Sequence, residues 1–128
     1  MELEGLDVVK FLNGPETVRD GSLISFSVEG ITSEPVIDLT FEVSRDSVTR
    51  IVKIELRDVR EFDYCYSRED PPYVIEMLKC LMTDEGDFYI SLDPYDEREA
   101  FISEEDNEFF RSGRVKLTTG DPAQPACS

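Results

Sequence analysis

The sequence predicts an α+β fold, mainly an antiparallel β-sheet arranged as a meander or a sandwich, with one or two short α-helices. Several segments alternate apolar and polar residues between short turns of Gly, Pro, Ser and Asp, which is typical of half-buried strands. Another segment repeats apolar residues at helical spacing. A hydrophobic content of 40% argues against disorder despite a net charge of -16.

The length of 128 residues fits one domain with a single core. We expect this α+β domain to occupy residues 1–119, as a monomer or small oligomer. Residues 120–128, GDPAQPACS, carry few large apolar side chains, and we expect a flexible C-terminal tail there.

The N-terminal segment, residues 3–12, fits a strand and a helix about equally, and we favour the strand. Turns follow at Asn13-Gly14-Pro15 and Arg19-Asp20-Gly21. Three alternating segments then predict an antiparallel meander. Their inward residues are Ile24, Phe26 and Val28 in residues 22–30; Ile37, Leu39, Phe41 and Val43 in residues 36–44; and Val52, Ile54 and Leu56 in residues 48–56. Residues 59–66 keep the alternation and predict a fourth strand.

Residues 73–82 are ambiguous between a helix and a strand. Apolar residues recur at i, i+3, i+4 and i+7, and Asp70 before two prolines is a suitable helix N-cap, so we favour a helix. The strand stays open because the segment is nearly continuous in apolar residues. The repeating residues are Val74, Met77, Leu78 and Leu81.

The remaining segments predict a strand, a short helix and a last strand. Residues 87–92 alternate again, and Asp93-Pro94 ends that strand because proline has no N–H to donate. Ser103 and Asp106 have the spacing of a capping box, which predicts a helix to about Arg111 that stops at Gly113. Residues 114–119 predict the last strand.

The segment from Ser91 to Phe110 carries eight carboxylates against one cation, Arg98, with aromatic residues between them. Burial of a polar group without a partner costs about 2–7 kcal/mol of hydration, and burial of an unpaired carboxylate costs more. We therefore expect this segment on the surface. Such a surface suits a basic protein partner, although a merely solubilising face fits equally well. The candidate partner-binding residues are Asp93, Tyr95, Asp96, Glu97, Glu104, Glu105, Asp106 and Glu108.

The charge and the cysteines exclude other classes of partner and compartment. A net charge of -16 repels nucleic acid and anionic lipid, so we expect no direct nucleic-acid binding. No apolar run approaches the length of a membrane span. The three cysteines, Cys65, Cys80 and Cys127, are at no metal-ligand spacing, and no signal region precedes the fold, which favours a reduced cytoplasmic setting.

The sequence contains no motif that names a reaction. It has no histidine, which excludes Ser-His-Asp and Cys-His catalysis, and it has no glycine-rich phosphate loop. Carboxylate pairs such as Asp93 and Asp96 arise by chance in a chain with 29 acidic residues. The oxygen-rich loops 84–87 and 93–97 lack the twelve-residue calcium pattern. We therefore expect no catalytic residue, metal or cofactor, and keep open a calcium-responsive or homo-oligomeric sheet module.

In its size, its acidity, its lack of catalytic motifs and its acidic-aromatic segment, the whole chain resembles the immunity proteins that protect bacteria from their own polymorphic or contact-dependent toxins. The stretches LDPYDE and ISEEDN also look like parts of small bacterial domains. The resemblance implies that the partner is a cognate toxin, often a basic nuclease, whose active site is blocked. Immunity families share no common motif, so the resemblance assigns no residue.

Overall fold

The described strands of this protein belong to one antiparallel sheet. Its structure is a computed structural model that describes residues 1–15, 17–64 and 74–120. The elements in these ranges are β1 (Glu2–Glu4), α1 (Leu6–Leu12), β2 (Ser22–Glu29), β3 (Val36–Arg45), β4 (Val48–Asp63), β5 (Lys79–Met82), β6 (Phe88–Asp93) and β7 (Asn107–Gly120). The prediction of an α+β fold with a mainly antiparallel sheet is confirmed.

The strands follow the order β2-β3-β4-β7-β6-β5. The consecutive hairpins β2–β3 and β3–β4 confirm the predicted meander. The long strand β7 returns beside β4, and its other edge pairs with β6 over residues 107–112 and with β1 over residues 116–118. The chain in the described ranges has no helix that is long and apolar enough to cross a membrane.

One face of the sheet carries the main hydrophobic core. Directly opposed residues of β3 and β4 fill its centre, in the pairs Ile37 with Leu56, Leu39 with Ile54 and Phe41 with Val52. All six side chains are buried, as predicted. Helix α1 adds Val8, Val9 and Leu12 to the same cluster. The alternation in β3 and β4 therefore did predict the correct inward face.

The preference for a strand at residues 3–12 was wrong, because only β1 is extended and residues 6–12 are helical. Gly5 at φ 58 turns the chain between the two elements. The helix then places Val8, Val9 and Leu12 against the core. Asp7 lies in its first turn and Lys10 in its last, where the helix dipole favours a negative and a positive charge respectively.

Strand β2 corrects one predicted core residue. Leu23 pairs with Phe41, but Ser25 already pairs with Thr40, so a bulge lies between them. The bulge shifts the alternation by one residue and leaves Ile24 with 53% exposure. Leu23 takes the place predicted for Ile24, while Phe26 and Val28 pack on the core as expected.

The predicted third and fourth strands are one strand, β4. It continues to Asp63 because it pairs with β7 along nearly its whole length. Between the two alternating patterns of the sequence, the strand has two irregularities, a positive φ of 56 at Asp58 and a register shift between Val59 and Glu61. Residues 65 and 66 of the predicted fourth strand lie outside the described residues.

The helix predicted in residues 73–82 was wrong over its described part. Residues 74–78 have no regular structure, and β5 begins at Lys79. The backbone of Ile75 bonds to another part of the chain: its N–H donates to Gly21 O and its carbonyl accepts from Asp20 N–H, both at 2.8 Å. These tertiary hydrogen bonds replace helical ones, and Val74 and Met77 are exposed. The proposed cap Asp70 lies outside the described residues.

The helix predicted from Ser103 to about Arg111 was also wrong. Ser103 and Asp106 form a turn, in which Asp106 N–H donates to Ser103 O at 3.2 Å, and β7 begins directly afterwards. Gly113 lies inside β7 and does not end a helix. A Cβ there would lie 2.2 Å from Asp58 Oδ2, so glycine provides the space that the neighbouring strand needs.

Gly120, predicted in the tail, ends β7, and residues 121–128 lie outside the described residues.

Strand β6 was predicted correctly and ends at Asp93 before Pro94. It differs from the other strands because both of its faces are buried. Phe88 and Ile90 belong to the main core, whereas Tyr89 and Ser91 lie on the opposite face. The segment that joins β6 to β7 covers this opposite face, where its Asp106 accepts a hydrogen bond from Tyr89.

Candidate functional site

The candidate site is the segment between β6 and β7, residues 94–106, called loop 94–106 below. It has neither helix nor strand, and its ends are held together by the pairing of Asp93 with Asn107. Compact loops of this size whose ends are close are frequently functional. Six of the eight predicted partner-binding residues lie in it, and Asp93 and Glu108 flank it.

Asp106 lies inside the protein with 4% exposure, at the end of this loop. Its carboxylate accepts hydrogen bonds from Lys79 Nζ at 2.8 Å and Tyr89 OH at 2.8 Å. It also accepts from the backbone N–H groups of Tyr95 at 2.9 Å and Ser103 at 3.1 Å. The expectation that the whole acidic segment lies on the surface was therefore wrong at Asp106, because a buried cation and three further donors replace its hydration.

Lys79 is the cation at this centre, and only 1% of its surface is exposed. Besides Asp106, its ammonium donates to Glu99 Oε1 at 3.0 Å and to the carbonyl of Phe101 at 3.0 Å. The Phe101 ring lies over it, with its centroid 5.9 Å from Nζ. Lys79, Tyr89, Glu99 and Asp106 are called the Lys79 cluster below.

Sequence reasoning did not select Lys79, although a signal was present. It is the only charged residue in the run MLKCLM, residues 77–82. A lysine in a buried strand requires carboxylate partners, because an unpaired buried ammonium costs several kcal/mol, of order 3–5. The acidic segment that follows in the sequence supplies these partners.

The environment changes the acidity of two groups in the Lys79 cluster. Burial alone would raise the pKa of Asp106, but hydrogen bonds from Lys79, the Tyr95 N–H and Tyr89 together lower it below its ordinary value. The pKa of Tyr89 is raised, first by burial and then by its hydrogen bond to the Asp106 carboxylate. At neutral pH the cluster therefore holds an ionised Asp106 and a neutral Tyr89.

A second contact ties the loop to a different part of the chain. Glu97 Oε1 lies 2.9 Å from Arg19 Nη2 and also accepts the backbone N–H of Leu78 at 3.2 Å. Arg19 in turn donates to the carbonyl of Leu78 at 3.4 Å. Both charged side chains are about one-third exposed, at 33% and 32%, so this tether lies at the border of the loop.

The outer side of the loop combines apolar and acidic side chains. Tyr95 is 63% exposed, Phe101 60% and Ile102 39%. Glu104 and Glu105 in the same loop are exposed, as is Asp93 at the base of the loop. Exposed large apolar residues gathered among charges are typical of contact surfaces for other proteins.

The predicted residues therefore fall into separate groups. Asp93, Tyr95, Glu104 and Glu105 are exposed. Asp96 forms a local ion pair with Arg98 at 3.1 Å, and the hydrogen bonds from Arg98 lower the pKa of Asp96. Glu97 pairs with Arg19, Asp106 is buried, and Glu108 is half-buried in β7.

Two other features bear on catalysis and metal binding. Within residues 1–15, 17–64 and 74–120, no group of three or more His, Cys, Asp or Glu side chains is placed to hold a metal ion. Asp87, in one of the two oxygen-rich loops, binds Arg111 at 3.0 Å and Arg60 at 3.4 Å. Cys80 is buried in β5, which raises the pKa of its thiol, as expected for a cysteine that serves as a small apolar residue.

A pocket of about 340 Å³ lies at the β3–β4 hairpin, where Phe11, Val43 and Val52 form apolar walls. Arg45 lines it and donates to the carbonyls of Pro15, Thr17 and Arg19, so it stabilises the loop before β2. Among the described residues of the lining, Asp46 is the one carboxylate.

Comparisons of the chain with protein-family models, with curated proteins and with solved structures found no match.

Proposed function

We propose that this protein is an acidic, non-catalytic binding protein, an immunity protein of the bacterial cytoplasm that neutralises a cognate basic toxin by covering its active site. The observation that carries the proposal is the outer side of loop 94–106. There, three exposed apolar side chains and two exposed carboxylates share a backbone that is tied to the sheet by buried contacts.

The charges support a cationic partner. The net charge of -16 attracts basic proteins at long range. Asp93, Glu104 and Glu105 have no ion pair among the described residues, so their charges act on an approaching partner. Exposed charges of this kind mainly raise the association rate and select the sign of the partner.

The apolar residues support a stable complex as well as a charged encounter. Tyr95 and Phe101 each offer an aromatic ring at about 60% exposure or more, and Ile102 follows directly. Aromatic side chains that become fully buried contribute much of the binding energy in protein interfaces. Tyr95 and Phe101 are therefore the proposed anchors, and the carboxylates form the rim.

The contacts of the remaining acids support binding over catalysis. Glu97, Glu99 and Asp106 each pair with a cation of the protein itself. The chain has no histidine that could act as a general base near neutral pH. We infer that these three acids shape the surface and that the exposed ones meet the partner.

The charge contribution is tested by reversing charge on the loop and elsewhere. The test pair is Glu104→Lys with Glu105→Lys, and the matched control is Glu29→Lys with Glu42→Lys, two exposed residues of β2 and β3. Both pairs change the net charge equally. The probe for binding is an inactive variant of the protein encoded by the neighbouring reading frame.

We expect the loop pair to slow association about tenfold or more at low salt, and the control pair to slow it much less. Added salt should reduce the difference, because it screens exposed charges beyond about 8–10 Å. Cells that carry the active toxin should lose protection with the loop pair only. Equal effects of the two pairs would show that the loop is not the binding surface.

The anchors are tested by Tyr95→Ala and Phe101→Ala, with Ile31→Ala as the control. Ile31 is 68% exposed and lies outside the loop, between β2 and β3. Each anchor variant should speed dissociation by about tenfold or more, since truncation of an interface anchor costs about 2 kcal/mol. Dissociation rates that match those of the control would exclude an anchor role.

A further inference from the structure

Four groups spread along loop 94–106 converge on one ion pair. The N–H groups of Tyr95 and Ser103 bind the Asp106 carboxylate, and the Glu99 side chain and the Phe101 carbonyl bind the Lys79 ammonium. These attachment points begin near the first residue of the loop and end near its last. One buried pair therefore holds the loop at four points along its length, in addition to the tether from Glu97 to Arg19.

Lys79 itself belongs to the sheet. Strand β5 pairs with β6 in a regular register, in which Lys79 faces Ser91 and Cys80 faces Ile90. With 1% exposure, the Lys79 side chain lies beneath the loop and out of reach of a protein that binds the outer side. Lys79 therefore makes no contact of its own with a partner on the outer side.

We propose that Lys79 and Asp106 are positioning residues that hold loop 94–106 in one preformed shape before the partner binds. This inference rests on the proposed function where it concerns the partner, but the order of the loop is a property of the free protein. Ordering a flexible loop during binding costs conformational entropy, and a loop that is already ordered avoids that cost. Tyr95 and Phe101 would then meet the partner in fixed positions.

The experiment compares Lys79→Met with the milder Glu99→Gln and the control Lys53→Met. Glu99→Gln keeps the Lys79–Asp106 pair and removes one charge from the cluster, so it tests the proposal if Lys79→Met fails to fold. Lys53 is an exposed residue of β4, and its replacement removes one positive charge without touching the loop.

Loop order is measured by hydrogen exchange in the free protein. The amides of Tyr95 and Ser103 report the loop, and those of Ile54 and Leu56 report global opening of the sheet. Trypsin cleavage after Arg98, whose side chain is 87% exposed, gives a second readout of the loop. Affinity for the inactive toxin then links loop order to binding.

We expect Lys79→Met to speed exchange at Tyr95 and Ser103 on the order of 100-fold relative to Ile54 and Leu56, with Glu99→Gln giving about tenfold. Cleavage after Arg98 should accelerate in the same order, and affinity should fall in parallel. Lys53→Met should change none of these.

Unchanged loop protection in both variants, or equal loss in loop and sheet, would overturn the positioning role. Loss of loop protection with no loss of affinity would overturn its link to binding. The proposed function fails separately if the variant with charge reversed at Glu104 and Glu105 binds normally while the exchange results are as expected.

Discussion

Lys79 Nζ and Asp106 Oδ2 lie 2.8 Å apart, although the two residues are separated by 27 positions in the chain and their side chains are 1% and 0% exposed. A buried ion pair is stabilising only when further hydrogen bonds satisfy both groups. Here the Lys79 ammonium also donates to Glu99 and to the Phe101 carbonyl. The Asp106 carboxylate also accepts from Tyr89 and from two backbone N–H groups. The pair joins the sheet to the loop that carries the exposed aromatic residues.

Replacing both Lys79 and Asp106 with apolar residues should not restore the stability that is lost when Asp106 alone is replaced. Asp106→Leu should lower the free energy of unfolding by about 3–5 kcal/mol, because it leaves a buried ammonium without its main partner. The double variant Lys79→Met, Asp106→Leu should remain at least about 2 kcal/mol less stable than the natural protein, because the N–H groups of Tyr95 and Ser103 lose their acceptor. Urea unfolding measures both, and a double variant as stable as the natural protein would contradict this account.

The same carboxylate should make stability depend on pH in acid. The pKa of Asp106 is lowered in the folded protein, so its ionised form stabilises the fold at every pH above its ordinary value of 3.8. That stabilisation should be lost as the pH falls below 3.8 through the folded pKa. The free-energy difference between the natural protein and Asp106→Asn should therefore be constant from pH 5 to about 7 and shrink below about pH 4. A difference that grows on acidification would contradict the assignment.

The bulge in β2 predicts opposite sensitivities for two neighbouring apolar residues. Ile24→Ser should change the free energy of unfolding by less than about 0.5 kcal/mol, because Ile24 is 53% exposed. Phe26→Ala should cost about 3 kcal/mol, because its ring packs on Phe62, Tyr64 and Phe110 at centroid distances of 6.2, 4.9 and 5.7 Å. Thermal unfolding of both variants is the measurement, and a reversed order would place the bulge elsewhere.

The close approach of Gly113 and Asp58 predicts a coupled pair of substitutions. Gly113→Ala should cost about 1 kcal/mol, because its Cβ would lie 2.2 Å from Asp58 Oδ2 and the half-exposed Asp58 side chain must move away from Arg60 to make room. Asp58→Gly removes that side chain and suits the backbone at φ 56. In a double-mutant cycle measured in urea, Asp58→Gly should therefore cancel most of the cost of Gly113→Ala. Additive effects would mean that the two residues do not meet.

Local patterning was sufficient where one strand face meets the core and the other meets solvent. In β3 the alternation of Ile37, Leu39 and Phe41 predicts both the strand and its buried face, because period two is a direct consequence of the pleat. The end of β6 at Pro94 was equally predictable, since proline lacks the donor that continued pairing requires.

Local patterning failed where another part of the chain determines the conformation. Ile75 gives its backbone hydrogen bonds to residues 20 and 21, which no pattern within residues 73–82 reveals. Asp106 looked like a helix-capping residue because its spacing from Ser103 is correct for one. Its burial depends on Lys79, whose place beside it follows only from the pairing of β5, β6 and β7.

By itself, the sequence determined the antiparallel sheet, most of its inward face and the acidic, aromatic character of residues 91–110, because side-chain polarity and strand periodicity are local properties. Only the tertiary structure decided which of those acids reach solvent. Charge compensation acts through space: Lys79, Arg19 and Arg98 neutralise four of the carboxylates, in Asp106, Glu99, Glu97 and Asp96. Glu104 and Glu105 are left on the surface of the loop that also exposes Tyr95 and Phe101.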